Sequence, residues 1–197
     1  MKRGKKMKQN GQIEVICGPM FAGKTEELIR RANRLQYAKK KYLVFKPTID
    51  DRYSTTEIVS HSNYRKNSIC IKHSSEILSY ITDDIQAVIV DEAQFFDIDI
   101  IGVCEWLANR GLRVICGGLD CDFKGSPFPV MANLLARAEY ITKLTAICNV
   151  CGDPATRTQR IIDGQPAYED DPIVLVGAKE AYEPRCRKCH MVLKRDA

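Results

Sequence analysis

Apolar residues along this chain fall into two alternating patterns, short unbroken runs and stretches with helical spacing. Residues 12–17 form a β-rich run that leads into a glycine-rich segment, and residues 25–40 follow with Leu28, Ile29, Ala32 and Leu35 on one side of a helix. Tyr42-Leu43-Val44-Phe45 is the next buried-strand candidate, stopped by Lys46-Pro47, after which residues 48–53 are polar and turn-prone. The span 52–73 mixes polar, basic and apolar positions and reads as a partly ordered loop with a short strand near 68–71. Ser74-Ser75-Glu76-Ile77 offers an N-cap signal for a short helix, and residues 86–91 form a continuous apolar strand ending in a carboxylate. A helix over 97–109 closed by Gly111, a strand over 112–116, a helix over 130–138 and a strand over 141–147 complete the series. Strands and helices in this rhythm predict a doubly wound, mainly parallel α/β sheet with its ligand site at the carboxyl ends of the strands.

Beyond Cys148 the composition shifts to turns and short β-rich pieces, so a second, small unit is expected over 148–193, with a tail at 194–197. A chain of 197 residues can bury one core and a small appendage without disulfides. The formal net charge of +5 suggests a nucleic-acid partner until it is located. Lys2, Arg3, Lys5, Lys6 and Lys8 account for that surplus, and the remainder holds 25 basic and 25 acidic residues. The folded part, with its main domain over 11–147, is therefore formally neutral, which argues against a nucleic-acid partner, and residues 1–10 read as a solvated, disordered arm. That basic start is not followed by an apolar stretch of signal-peptide length, and no segment approaches membrane-spanning length, so a cytoplasmic protein with no membrane partner is expected.

The glycine-rich segment fits the pattern G-x-x-x-x-G-K-[ST] at Gly18, Gly23, Lys24 and Thr25, between a strand and a helix as such a loop requires. Pro19, Met20, Phe21 and Ala22 fill its interior. Glycines let the backbone bend sharply and turn successive N–H groups toward an anion. Lys24 then reaches the β- and γ-phosphates of ATP, and the Thr25 hydroxyl is a ligand for Mg2+. Val88-Ile89-Val90-Asp91-Glu92 has the form of the partner segment: the apolar strand delivers Asp91 beside the loop to hold Mg2+, and Glu92, pointing away from Asp91 along an extended chain, is the general base. The pair serves equally for water activation in an ATPase or proton removal from a substrate hydroxyl in a kinase. Asp91-Glu92-Ala93-Gln94 also spells a helicase-type box, although two motor domains do not fit in this length.

Of nine cysteines, Cys148, Cys151, Cys186 and Cys189 come as two C-x-x-C pairs, a tetrahedral thiolate set suited to structural Zn2+. The 34 residues between the pairs exceed the usual ribbon spacing and become a long loop pinned at both ends. His190 is a possible substitute for Cys189 as ligand. A redox dithiol does not explain two pairs, and a zinc ribbon that grips nucleic acid is the functional rival.

Four segments in order, residues 18–25, Lys46-Pro47 with Asp50-Asp51-Arg52-Tyr53, Asp91-Glu92-Ala93-Gln94-Phe95, and the closing residues 182–190, resemble the cellular-type thymidine kinases, a tetrameric zinc-containing family with a P-loop, RecA-like core. The resemblance covers residues 12–193. It implies that Glu92 takes the proton from the 5′-hydroxyl of thymidine while Lys24, Thr25, Asp91 and Mg2+ bind ATP, with Asp50 and Arg52 near the phosphates. It further implies a substrate pocket of Met20, Phe95, Leu119, Phe123, Phe128, Thr158 and Tyr182. Backbone groups from Ile173 through Leu175, Val176 and Gly177 would read the thymine edge, and the loop between the cysteine pairs would be a lasso over the base. Deoxyuridine as a second substrate, feedback inhibition by dTTP and a homotetramer follow from the same resemblance. Ala22 and Ala93 stand where relatives often carry serine and glycine.

Overall fold

The computed structural model describes residues 11–48, 68–173 and 180–195. Six strands form its main sheet: β1 (Gln12–Cys17), β2 (Lys41–Pro47), β3 (Ser68–Ile71), β4 (Ile85–Val90), β5 (Arg113–Gly118) and β6 (Tyr140–Lys143). Their order is β3-β2-β4-β5-β1-β6, and every neighbouring pair is parallel. Helix α1 (Lys24–Tyr37) covers one face, with Leu28, Ala32 and Leu35 against Ile16, Val44, Ala87, Ile89 and Ile115. Helices α2 (Ile100–Asn109) and α3 (Pro129–Arg137) cover the other, where Cys104, Leu107, Met131 and Leu134 meet Val15, Val88, Val90 and Val114. Burial on both faces is why the inner strands β1, β2, β4 and β5 read as apolar runs.

The order β4-β5-β1 puts the carboxyl ends of β1 and β4 on either side of a single strand. That is the arrangement that brings the segment after β1 to the carboxylates after β4. A charged brace fixes β1 itself. Glu14, buried on the α1 side, is ion-paired to Arg31 of α1 and Arg113 of β5, and Arg31 Nη2 also donates to Thr142 Oγ1 at 2.7 Å. Burial alone would raise the Glu14 carboxyl, but Arg113, Gln12 and Arg31 outweigh it and hold it below the usual carboxylate range.

Two expectations about local structure are corrected. Ser74 does not cap the short 3-10 helix Ser74–Tyr80; His73 is the cap, the Glu76 carboxylate accepts the His73 N–H at 2.7 Å, and Ser74 donates its own N–H to Asp97 at 2.9 Å. The single strand expected over 141–147 is two, because β1 ends at Cys17, whose carbonyl accepts the Leu144 N–H at 2.8 Å, and the chain beyond has no further β1 residue to pair with. The second piece, β7 (Ala146–Ile147), pairs antiparallel with β8 (Pro154–Ala155). Beyond it, β9 (Arg157–Ile162) lies between β10 (Gln165–Pro166) and β11 (Glu180–Arg185), both antiparallel to it. Gln159 of β9 holds the last segment by exchanging hydrogen bonds with both backbone groups of Met191, each 2.8 Å long.

Candidate active site

Between β1 and α1 the chain makes the tight turn that its glycines allow. Gly18 has φ +146°, and a Cβ there would lie 2.4 Å from the Leu144 carbonyl oxygen; Gly23 has φ +83°. Phe21, at φ 65°, also occupies the left-handed region and is 60% exposed. The N-cap position of α1 is Gly23, which has no side chain to cap the first N–H groups, the condition an incoming phosphate requires. Lys24 Nζ donates to the Pro19 carbonyl at 2.7 Å, so its ammonium is curled over the loop. Burial lowers the Lys24 pKa, and Glu92, Asp120 and Asp91 oppose that shift from nearby.

The loop is anchored from outside the main sheet. Met20 N–H donates to Thr158 Oγ1 of β9 at 3.0 Å, and the Ala22 methyl packs into the apolar cluster formed by Ala146, Cys148, Ala155 and Cys186. Thr158→Val preserves side-chain shape but removes the acceptor, at about 1–2 kcal/mol for a buried donor left without one. The expected result is a lower thermal midpoint together with weaker ATP binding, both measurable by calorimetry.

After β4 the backbone does not continue extended, contrary to the expectation for Glu92. Its φ is 52°, and a 3-10 turn over Ala93–Phe95 follows, closed by the Phe95 N–H on the Glu92 carbonyl at 3.0 Å. The left-handed residue, not strand alternation, therefore sets the direction of the Glu92 side chain, and Asp91 remains near enough to act on it. Asp91 is buried and its Oδ2 lies 2.9 Å from Lys46 Nζ. Burial, and then the neighbouring Asp91, raise the Glu92 pKa, while Gln94, Lys24 and Lys46 pull it down. Gln94 Nε2 donates to Glu92 Oε2 at 2.7 Å, and Gln94 Oε1 accepts the Leu119 N–H at 3.0 Å.

Leu119 opens the segment after β5. Asp120, next to it, is buried and paired with Lys143 of β6 at 2.9 Å. Phe95, 40% exposed, meets Phe128 edge-on with centroids 6.1 Å apart. Phe123 is only 4% exposed, with the Arg160 guanidinium 5.1 Å from its ring centroid. Tyr182 of β11 stands opposite Arg160 in the register, and Pro184 opposite Thr158, so these residues share one face of the small sheet. Ile173 is described and exposed, whereas Asp50, Arg52, Leu175, Val176 and Gly177 lie outside the described residues.

All four paired cysteines converge, their Sγ atoms lying within 4.8 Å of one another. Cys151 and Cys186 are 3.6 Å apart. A tetrahedral zinc with Zn–S of about 2.3 Å has sulfur–sulfur edges of about 3.8 Å, so the set fits the ion and could hold it as a structural site. Burial acts to raise the Cys148 thiol, but backbone N–H groups of Cys186, Cys151 and Val150 bring it down to about 6, whereas Cys151, against the pull of the Asp153 backbone, is pushed up to about 12 by burial and its thiol neighbours, so a metal would displace the protons that these thiols share. His190 is not part of the cluster: its Nε2 is 2.8 Å from the Phe123 carbonyl oxygen. It links the metal-binding segment to the loop after β5.

Lys46, Gln94, Asp120 and Lys143 were not expected at the site from the sequence. The one available signal was local, since Lys46 and Gln94 stand inside segments already singled out, at Lys46-Pro47 and Asp91-Glu92-Ala93-Gln94. Among the described residues no helix is long and apolar enough to cross a membrane. The family model for thymidine kinase matches residues 11–190, a span that leaves out only the basic arm and the last few positions; the chain belongs to the thymidine kinase family.

Proposed function

We propose that this kinase transfers the γ-phosphate of ATP to the 5′-hydroxyl of thymidine, and also of deoxyuridine, giving dTMP for the salvage of DNA precursors. The family implies ATP and thymidine as substrates. The observation that supports phosphoryl transfer is that Lys24, from the loop after β1, lies within electrostatic reach of the Glu92 and Asp91 carboxylates after β4, and thymidine as the acceptor rests on the family. In this reading Lys24 and the loop amides neutralise the transferring phosphoryl group, and Glu92 takes the hydroxyl proton.

Asp91 and Thr25 would hold Mg2+, which would supply positive charge to neutralise the phosphates of ATP. The residues fit that ion: Asp91 offers a buried, hard oxygen donor, and the Lys46 ammonium already beside it marks the spot as one that takes a cation. Asp50 and Arg52 would act at the phosphates. Met20, Phe95, Leu119, Phe123, Phe128, Thr158 and Tyr182 would form the wall of the nucleoside pocket, with aromatic faces against the base. The backbone of Ile173, Leu175, Val176 and Gly177 would read the edge of the thymine.

Residues 11–147 would serve as the ATP-binding unit and 148–193 as the zinc-binding unit that carries the lasso. Feedback inhibition by dTTP, a homotetramer and a cytoplasmic location belong to the same reading. The test is to incubate the protein with Mg-ATP and each nucleoside and to look for the 5′-monophosphate. Thymidine and deoxyuridine should be converted, while ATP hydrolysis stimulated by single-stranded DNA, with no nucleoside product, would replace this reading by that of a nucleic-acid motor.

A further inference from the structure

Gln94 is buried at 6% exposure and is the one side chain seen to bridge Glu92 to the segment after β5 among the described residues. Which way its amide faces is settled by chemistry. The Leu119 backbone N–H can only donate, so the atom 3.0 Å from it must be the Gln94 oxygen. The amide nitrogen is then the atom 2.7 Å from Glu92 Oε2, and Glu92 must accept there. Room for this arrangement is provided by Gly118, where a Cβ would lie 2.4 Å from Gln94 Oε1. The backbone at Glu92, held at φ 52°, aims its carboxylate into this contact.

We propose that Gln94 is a positioning residue for phosphoryl transfer: it clamps the Glu92 carboxylate through its amide N–H while anchored by its amide oxygen to the Leu119 backbone. The inference rests on Glu92 being the base. One bond selects a single orientation of a carboxylate that the left-handed turn would otherwise leave to rotate. The second bond ties that orientation to Leu119, so the base is held in register with the segment bearing Phe123 and Phe128. Gln94 itself is assigned no contact with substrate or phosphate.

The experiment compares Gln94→Leu and Gln94→Glu with the unmodified chain, measuring kcat at saturating thymidine and ATP, KM for ATP, and thermal midpoints. Gln94→Leu should lower kcat about tenfold, the scale of one hydrogen bond to a charged group, with KM for ATP unchanged. Gln94→Glu keeps the shape and can still accept from Leu119, but it has no amide N–H to give Glu92, so it should lose kcat at least as far with KM for ATP again unchanged. Should Gln94→Leu fail to fold, the near-isosteric Gln94→Glu decides the matter alone. An intact kcat in Gln94→Glu, or a lowered thermal midpoint with kcat intact, would overturn the clamp. Glu92→Gln, measured alongside, separates the two ideas: full transfer by that variant removes the base assignment and the clamp with it, whereas an inactive Glu92→Gln with kcat intact in the Gln94 variants removes the clamp only.

Discussion

Glu92→Gln should reduce thymidine phosphorylation by about 10²–10⁴-fold, the range that a positioned general base contributes, while ATP still binds with its normal affinity. The groups that would hold the phosphates, the amides after Gly18, Lys24 and the first turn of α1, are untouched by the change. The new amide can keep the bond to Gln94, so geometry survives and only the proton acceptor is lost. Transfer kinetics with direct measurement of ATP binding will separate the two effects; full transfer by the variant would remove Glu92 from the mechanism.

The same substitution should raise stability. Burial and Asp91 lift the Glu92 pKa, so ionising this carboxyl is harder in the folded chain than in the unfolded one. A raised carboxyl contributes stability that is fully present below its unfolded value and is lost as pH climbs through the folded one. Above that window the native state carries an ionised group it disfavours, whereas the variant's amide stays neutral at every pH. Thermal midpoints at neutral and mildly alkaline pH should therefore be higher for Glu92→Gln than for the parent chain, with the gap closing in acid. Activity follows the opposite course: transfer needs the ionised form, so the parent enzyme should lose rate as pH falls through the raised pKa of Glu92. Gain of stability with loss of chemistry is the pattern expected where a site holds a charge for function at a cost to the fold.

How much of this was legible in the chain follows from the kind of signal each feature carries. The four inner strands, β2, β4, β5 and β1, were visible because both of their faces are buried, which leaves runs such as Val88-Ile89-Val90 without polar interruption. The phosphate loop and the cysteine pairs were visible because their chemistry is written in contiguous spacing. Pairings that only strand order creates were not. Lys46 meets Asp91 because β2 lies beside β4, and Asp120 meets Lys143 because both sit at the carboxyl end of a sheet in which only β1 separates β5 from β6. The diversion of Ser74 to Asp97 has the same origin, a local preference overridden by a partner distant in sequence. The left-handed turn at Glu92 had no such excuse in contact order; nothing about an Asp-Glu pair announces a positive φ, and its purpose emerges only with Gln94 and Gly118 in place.

Removal of metal from the cysteine cluster should disable nucleotide binding as well as unfold the small unit. Zinc binding contributes on the order of 10 kcal/mol to the folding of small thiolate sites, more than a unit of short strands could lose and remain ordered. Cys148 and Cys151 follow β7, and Cys186 and Cys189 follow β11, so the ion would join the two ends of the excursion that contains β9. Two contacts then carry the effect to the phosphate loop: Thr158 of β9 accepts the Met20 N–H, and Ala22 seats its methyl against the cysteine cluster itself. Linkage makes the coupling reciprocal, so a metal that favours the binding-ready loop must be held more tightly when ATP is bound. One zinc per chain is expected by metal analysis. Cys186→Ser or chelation should abolish the cooperative unfolding of residues 148–193 in hydrogen exchange and weaken ATP binding at least tenfold, and ATP should slow the release of zinc to a chromogenic chelator. Pure, active protein without zinc would end the metal assignment, and zinc release unaffected by ATP would show that Ala22 and Met20 transmit nothing from the cluster to the loop.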